Sequence, residues 1–380
     1  MRMVVGVMVL GQLLTRILLA AHTVDRLATA RKILREVPLI DGHNDLPWNI
    51  RKFLKNQLRG FRFDDLSDIR PWSGNAWSHT DLRRLRKGMV TAQFWSAYTP
   101  CPSQYHDSVQ LALEQIDVIR RLVNKHPESL VLVTTAEGIE RAHKEGKIAS
   151  LIGVEGGHAI GTSLAVLRML YELGARYLTL THTCHTPWAD CSKADEPGQV
   201  PHVGGLSNFG KSIVLEMNRL GMMVDLSHVS VPTMLDAMTS SRAPVIFSHS
   251  SAHALCNSSR NVPDHALRHL VTHINHIRKV AGVDHVGIGA GYDGINLTPA
   301  GLEDVSKYPE LFAELLARGW SERDIQKLAG LNLIRVFKAV EQVRDRMAAA
   351  GMEPLEEEIP SEDILGRNHC RYNVRRLAVP

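Results

Sequence analysis

The chain reads as a parallel α/β fold. Short apolar runs alternate along it with amphipathic helical stretches, several of those runs stop abruptly at histidine or acidic residues, and no repeat, low-complexity tract or linker divides the sequence. The first two observations place a parallel sheet with polar groups gathered along its carboxyl edge. The third makes one domain the simplest organisation. At 44% hydrophobic and 22% charged residues, the 380-residue chain has the composition of a folded globular protein. Its formal net charge of +4 comes from Lys and Arg spread along the sequence, so no basic stripe argues for a nucleic-acid partner.

Seven strands are expected, at residues 38–41, 90–97, 149–154, 177–181, 222–226, 244–248 and 285–289. Between them, Ala112, Ile116, Ile119 and Val123 form one helical stripe. Leu164, Leu167 and Leu170 form another, closed by Gly174, and a helix over 207–220 is closed by Gly221. Ahead of all these, residues 1–21 carry Arg2, an apolar stretch from Met3 to Leu14, and Ala20 and Ala21 where a cleavage site fits. A signal peptide is the expectation, and an uncleaved amphipathic N-terminus, suggested by Arg16, is the alternative. A single folded domain is then expected over 22–345, with a C-terminal extension over 346–380.

No other run reaches the ~20 apolar residues of a membrane span, and the C-terminus NHCRYNVRRLAVP has no hydrophobic tail of the lipid-anchor kind. Five cysteines without CxxC spacing speak against a zinc ribbon. Sequons at Asn257 and Asn296 fit a secreted glycoprotein, although Pro299 weakens the second.

The strand ends carry the chemistry. The first strand runs into His43 and Asp45, two positions apart and therefore on one side of an extended chain. Later strands deliver Glu155 and His158, then His182 and His185, then Asp225 and His228, then His249 and His253. Carboxyl ends of successive strands in a closed barrel converge on one mouth. His43, Asp45, Glu155, His228 and His249 are nitrogen and oxygen donors suited to zinc, and a carboxylate able to bridge suits two ions better than one. A lone histidine near a strand end is usually a hydrogen-bonded core or loop residue, so His158, His185 and His253 are left outside the ligand set. His265, His269, His273 and His276 recur at helical spacing opposite Leu267, Leu270 and Ile274, which reads as a solvated helix face rather than a metal site.

At these residues the sequence resembles the membrane dipeptidase (renal dipeptidase) family of zinc metallopeptidases. The matching stretches are LIDGHNDLPWNIRK, QFWSAYTPC, SLIGVEGGH, RYLTLTHTCHTPWAD, GLSNFG, DLSHVS, APVIFSHSSA, SRNVPD and GLEDVSKYP, from about residue 25 to about residue 345. The resemblance implies a TIM-like (β/α)8 barrel of the metal-dependent hydrolase type, and hydrolysis of dipeptides, in some members also of cysteinyl leukotrienes and β-lactams, by a hydroxide bridging two zinc ions. By matching motif, His43 and Asp45 hold one zinc, His228 and His249 the other, and Glu155 bridges them. His182 contacts the substrate and the developing oxyanion, and Arg260 holds the substrate's terminal carboxylate. The resemblance also implies a disulfide between Cys101 and Cys184, a free thiol at Cys256, a disulfide-linked homodimer through Cys370, and membrane association by a lipid anchor that this C-terminus does not show.

Two departures stand out. The family's GGDxDG stretch reads GAGYDG here, so Gly291 replaces the Asp that handles the proton passing to the leaving amine, and Asp293 is the carboxyl left to substitute. Between Arg260 and the strand at 285 the chain also lacks about thirty residues that hold the family's seventh barrel strand. Either the wall closes with altered geometry, or the sequence is a splice variant or a gene-model error. The function expected is zinc-dependent dipeptide hydrolysis. The alternative is a catalytically impaired relative acting as a binding or adhesion module, while a deaminase on the same barrel is disfavoured because the first strand carries His43-Asn44-Asp45 rather than His-x-His.

Overall fold

The computed structural model describes residues 25–264 and 274–364. Its centre is a parallel sheet of six strands: β1 (Leu39–Asn44), β2 (Val90–Tyr98), β3 (Leu130–Leu132), β4 (Ile148–Glu155), β5 (Ala175–Thr179) and β6 (Met223–Asp225). The order is β1-β2-β4-β5-β6, with β3 lying beside the first three residues of β4 and β5 beside its last four. β2 and β4 pair in unbroken register from Ala92↔Ala149 to Tyr98↔Glu155. Every residue of β4 is buried, which follows from covering both faces of a parallel strand and explains its near-continuous apolar run.

Beyond β6 the sheet keeps curling. Ile246 bridges in parallel to Asp225 of β6, while Ile288 and Tyr292 bridge in parallel to Asp41 and Asn44 of β1. The wall therefore visits the seven expected positions in chain order and returns to its start. Two expected strands, 244–248 and 285–289, are corrected to single bridging residues. Each is paired on one side only; among the described residues no ladder bond joins them to each other. Gly287 and Gly289 weaken the second further, since glycine carries no side chain to pack and loses most freedom when extended. The two segments meet by contact alone at their carboxyl ends, where a Cβ on Gly289 would lie 1.7 Å from the Ser248 carbonyl oxygen. β3 was not among the expected strands. A three-residue strand offers too few alternations to register as a period.

The helical readings are reproduced in detail. The helix Ser108–Lys125 buries Ala112, Ile116, Ile119 and Val123, and Asn208–Leu220 is capped by the Ser207 side chain and ended by Gly221 at φ 81°. The last long helix, Asn332–Ala349, runs across residue 345, and beyond it Ile359 and Ile364 bury into the main core. No helix among the described residues is long and apolar enough to cross a membrane. The expected signal peptide, Cys370, and His265, His269 and His273 lie outside the described residues. The His276 Nε2 pairs with Asp264 at 3.1 Å.

Candidate metal centre

The carboxyl ends of the wall bring all five expected ligands together around one carboxylate. Glu155 ends β4 and points its two oxygens in different directions. Oε2 lies 3.4 Å from His43 Nε2, which is itself 3.3 Å from Asp45 Oδ1. Oε1 lies 3.0 Å from His228 Nε2 and 3.3 Å from His249 Nε2, and those two nitrogens are 3.0 Å apart. Tetrahedral coordination at bonds of about 2.0–2.1 Å separates ligand atoms by about 3.3 Å, so both groups have the spacing of a coordination shell.

The electrostatics agree. Burial drives His228 down to about 3 and His249 well below its ordinary value, so both imidazoles are neutral donors. Burial alone would raise Glu155, but the charge on His43 and hydrogen bonds involving His228, His249 and His43 outweigh it and hold the carboxylate well below its usual range. His43 moves the other way. Burial disfavours its charge, yet Tyr177, Glu155 and Asp45 raise it well above its ordinary value. Buried Glu155, partly buried Asp45 and three imidazoles thus draw a positive charge into the cluster, the charge a metal cation supplies.

Supporting groups aim the ligands. The Tyr177 hydroxyl donates to the Gly42 carbonyl at 3.2 Å and lies 3.0 Å from His43 Nδ1, an arrangement that puts the His43 proton on Nδ1 and leaves Nε2 for a metal. Ser248 does the same for His249: its hydroxyl donates to Asp225 at 2.6 Å and lies 2.7 Å from His249 Nδ1. Asp225 is fully buried and accepts from the backbone N–H of Ser227 and of Ser248, the residues just before His228 and His249. It also accepts from Thr179 on β5 at 2.5 Å, so one carboxylate fixes two ligand-bearing loops. His228 itself sits at φ 69°, a left-handed conformation rare for a non-glycine residue and held here by its surroundings. Asp225 was visible in the sequence as a strand end. Its role was not, because Ser248 and Thr179, which it ties together, lie 23 and 46 residues away.

His182 faces the cluster, with Nε2 3.8 Å from Glu155 Oε1 and its ring 4.2 Å from that of His228. A disulfide between Cys101 and Cys184 ties the loop after β2 to the loop carrying His182. Cys191 is buried and free, Cys256 exposed and free. The left-out histidines do lie elsewhere: His158 bonds the Thr99 carbonyl at 2.9 Å and His185 pairs with Asp190 at 2.9 Å. A cleft of about 610 Å³ opens over the cluster, walled by Trp48, Trp77 and Tyr98 opposite Arg260. The Arg260 guanidinium donates to Ser250 at 3.3 Å and has no carboxylate partner among the described residues.

The first departure falls in this cleft. Gly291 has φ 65°, and a Cβ there would meet only His249, at 3.9 Å. Asp293 also lines the cleft; its carboxyl oxygens are buried without a hydrogen-bond partner, and burial pushes it up to about 7.

The model of the membrane dipeptidase family, peptidase family M19, matches residues 27–272 and 266–351, two segments that meet in the region where the sequence is short. Dipeptidase 3 of Mus musculus is 46% identical over 358 residues, covering 87% of this chain and 70% of that protein. Dipeptidase 3 of Homo sapiens is 44% identical over 365 residues, covering 89% and 72%. Among solved structures, the chain is similar to a metallopeptidase of Rhodobacter sphaeroides crystallised with a phosphinate mimic of the dipeptide L-Ala-D-Ala, at TM-score 0.70 and 24% identity, covering 80% of this chain and 99% of that one. It is equally similar to dipeptidase AC, a family M19 metallopeptidase, at TM-score 0.70 and 25% identity, covering 80% and 98%. A curled parallel wall, a carboxylate shared between two clusters of metal-binding side chains, and a family match along nearly the whole described chain converge: this protein belongs to the membrane dipeptidase family of metal-dependent peptidases.

Proposed function

We propose that the protein hydrolyses dipeptides that carry a free carboxyl terminus, with two zinc ions as its cofactor. The observation that carries this reading is the division of Glu155, one oxygen toward His43 and Asp45 and the other toward His228 and His249. When bound, such ions supply Lewis-acid activation of water and of the scissile carbonyl. The chain's own groups do the rest. Arg260, free of any described carboxylate, offers a planar fork for the substrate's terminal carboxylate and limits substrates to short peptides. His182, above Glu155, is placed to donate to the oxygen on which negative charge develops. Trp48, Trp77 and Tyr98 exclude water on the opposite side of the cleft.

Asp293 is the carboxyl this chain retains for the proton that passes to the leaving amine. Burial favours its protonated form, the form a general acid requires. The N-terminal apolar stretch and the Cys101–Cys184 bridge support placing the protein in the secretory pathway, where disulfides persist. The family's disulfide-linked dimer remains part of this proposal through Cys370.

A second reading is favoured by Gly291: a folded, metal-holding module that binds peptides without turning them over. Zinc-dependent hydrolysis of a simple dipeptide, measured beside Gly291→Asp, separates the two. The cleft has room for the new side chain, and Asp is among the residues that tolerate a left-handed backbone. Slow wild-type turnover that rises about 10²-fold or more in the variant supports the peptidase with Asp293 as a partial substitute. A silent wild type rescued by the variant supports the binding module.

A further inference from the structure

The peptide cleft carries a second free cation. Of the acidic and basic side chains that line it, Asp45 and Glu155 belong to the metal cluster, Asp293 is buried and Arg260 is placed for the substrate's terminal carboxylate, which leaves Lys52 without a task. Lys52 lies on the helix Leu46–Leu54, one turn beyond Trp48, so the two side chains share the helix face that walls the cleft. Aromatic rings hold its ammonium there. Nζ stands 5.0 Å from the centroid of the Phe53 ring, and Phe53 stacks at 4.7 Å on Trp77, itself a wall of the cleft. No carboxylate pairs with Lys52 among the described residues, whereas its neighbour Arg51 is committed to Glu114.

We propose that Lys52 is a specificity-determining residue that selects dipeptides whose N-terminal residue carries an acidic side chain. The proposal rests on reading the cleft as a dipeptide site. With the terminal carboxylate at Arg260 and the scissile carbonyl at the metal cluster, the N-terminal residue extends toward the aromatic wall opposite Arg260, where Lys52 stands. A cleft of about 610 Å³ has room for a long side chain. Glutamate ends such a side chain in a carboxylate, which an uncommitted ammonium complements, while a basic side chain there would meet a like charge. Because Lys52 is exposed, the attraction is that of a surface pair, worth a selectivity of about 3–5-fold and screened by salt.

The test is calorimetric binding of two non-hydrolysable phosphinate mimics, of Glu-Ala and of Gln-Ala, to the full zinc-loaded protein. The pair differs by a carboxylate against an amide, so the ratio of their Kd values isolates the charge. The readout needs no turnover and therefore holds whether or not Gly291 impairs catalysis. Wild type is expected to hold the Glu mimic about 3–5-fold more tightly at low salt, with the ratio falling to near one in about 0.5 M salt. Lys52→Gln is expected to bring the low-salt ratio to one, and Lys52→Glu to invert it; both changes fall at an exposed position. Equal binding of the two mimics by wild type, a preference that survives in Lys52→Gln, or a Lys52→Glu variant that still favours the Glu mimic overturns the proposal and leaves the dipeptide site standing. Failure of wild type to bind either mimic overturns both.

Discussion

Asp293 ties stability to pH in a direction opposite to most carboxylates, and Asp293→Asn isolates the effect. The side chain is buried, neither oxygen has a hydrogen-bond partner, and burial is the main cause of its rise from 3.8 to about 7, only partly opposed by the Arg84 charge. Because the folded value exceeds the unfolded one, the native state holds an extra proton between those two values. The associated stability is complete below pH 3.8 and is lost as pH rises through about 7. Roughly three units at about 1.4 kcal/mol each make the loss about 4 kcal/mol. Denaturant unfolding of both proteins across pH 4–7.5, in chelator so that no cation lowers the Asp293 value, gives the difference directly. The histidine cluster titrates in both proteins and largely cancels. The Asn variant should gain about 4 kcal/mol on the wild type over that range. A difference flat to within about 1 kcal/mol refutes a buried, unpartnered carboxyl at this position.

Asp225→Ala removes the carboxylate that holds the Ser227 and Ser248 amides, so it should cost about 3 kcal/mol of stability and weaken zinc binding about 10–100-fold, read by unfolding and by metal titration. An unchanged zinc affinity would assign Asp225 to folding alone. Arg260→Ala should raise KM for a free dipeptide about 10–100-fold with little change in kcat, and should erase discrimination against the C-terminally amidated dipeptide. Equal losses on both substrates would remove Arg260 from carboxylate recognition.

The site was more legible than the wall that carries it, and the reason is the range of the signals. His43 and Asp45 announce themselves because an apolar run stops at two donors of the same face, a pattern contained within ten residues. The same local logic found Glu155, His228 and His249, and the structure brings the two histidines to Glu155 Oε1. Tyr177 looked like ordinary core, since nothing near it in sequence hints that its hydroxyl reaches His43, 134 residues earlier. Ile359 and Ile364 are similarly silent: two apolar residues in a polar tail show no period, yet they cover the core.

The seam where the wall closes shows how the two kinds of information meet. Strand patterning read 244–248 and 285–289 as strands where only Ile246 and Ile288 bridge, because pattern says which residues can pair, not whether a neighbour exists to pair with. Each segment keeps its bond to the inherited side, Ile246 to β6 and Ile288 to β1, and lacks a ladder on the other. The backbone closes the ring at Ser248 and Gly289 because glycine there permits an approach no side chain allows. That contact sits directly beside His249, so the proposed metal ligand rests on a part of the wall that has no ladder on one side among the described residues. Metal binding at His249 and closure of the seam therefore stabilise one another, and removing zinc should loosen 244–249 and 285–290 before the fully laddered β2 and β4, a difference that amide hydrogen exchange resolves segment by segment.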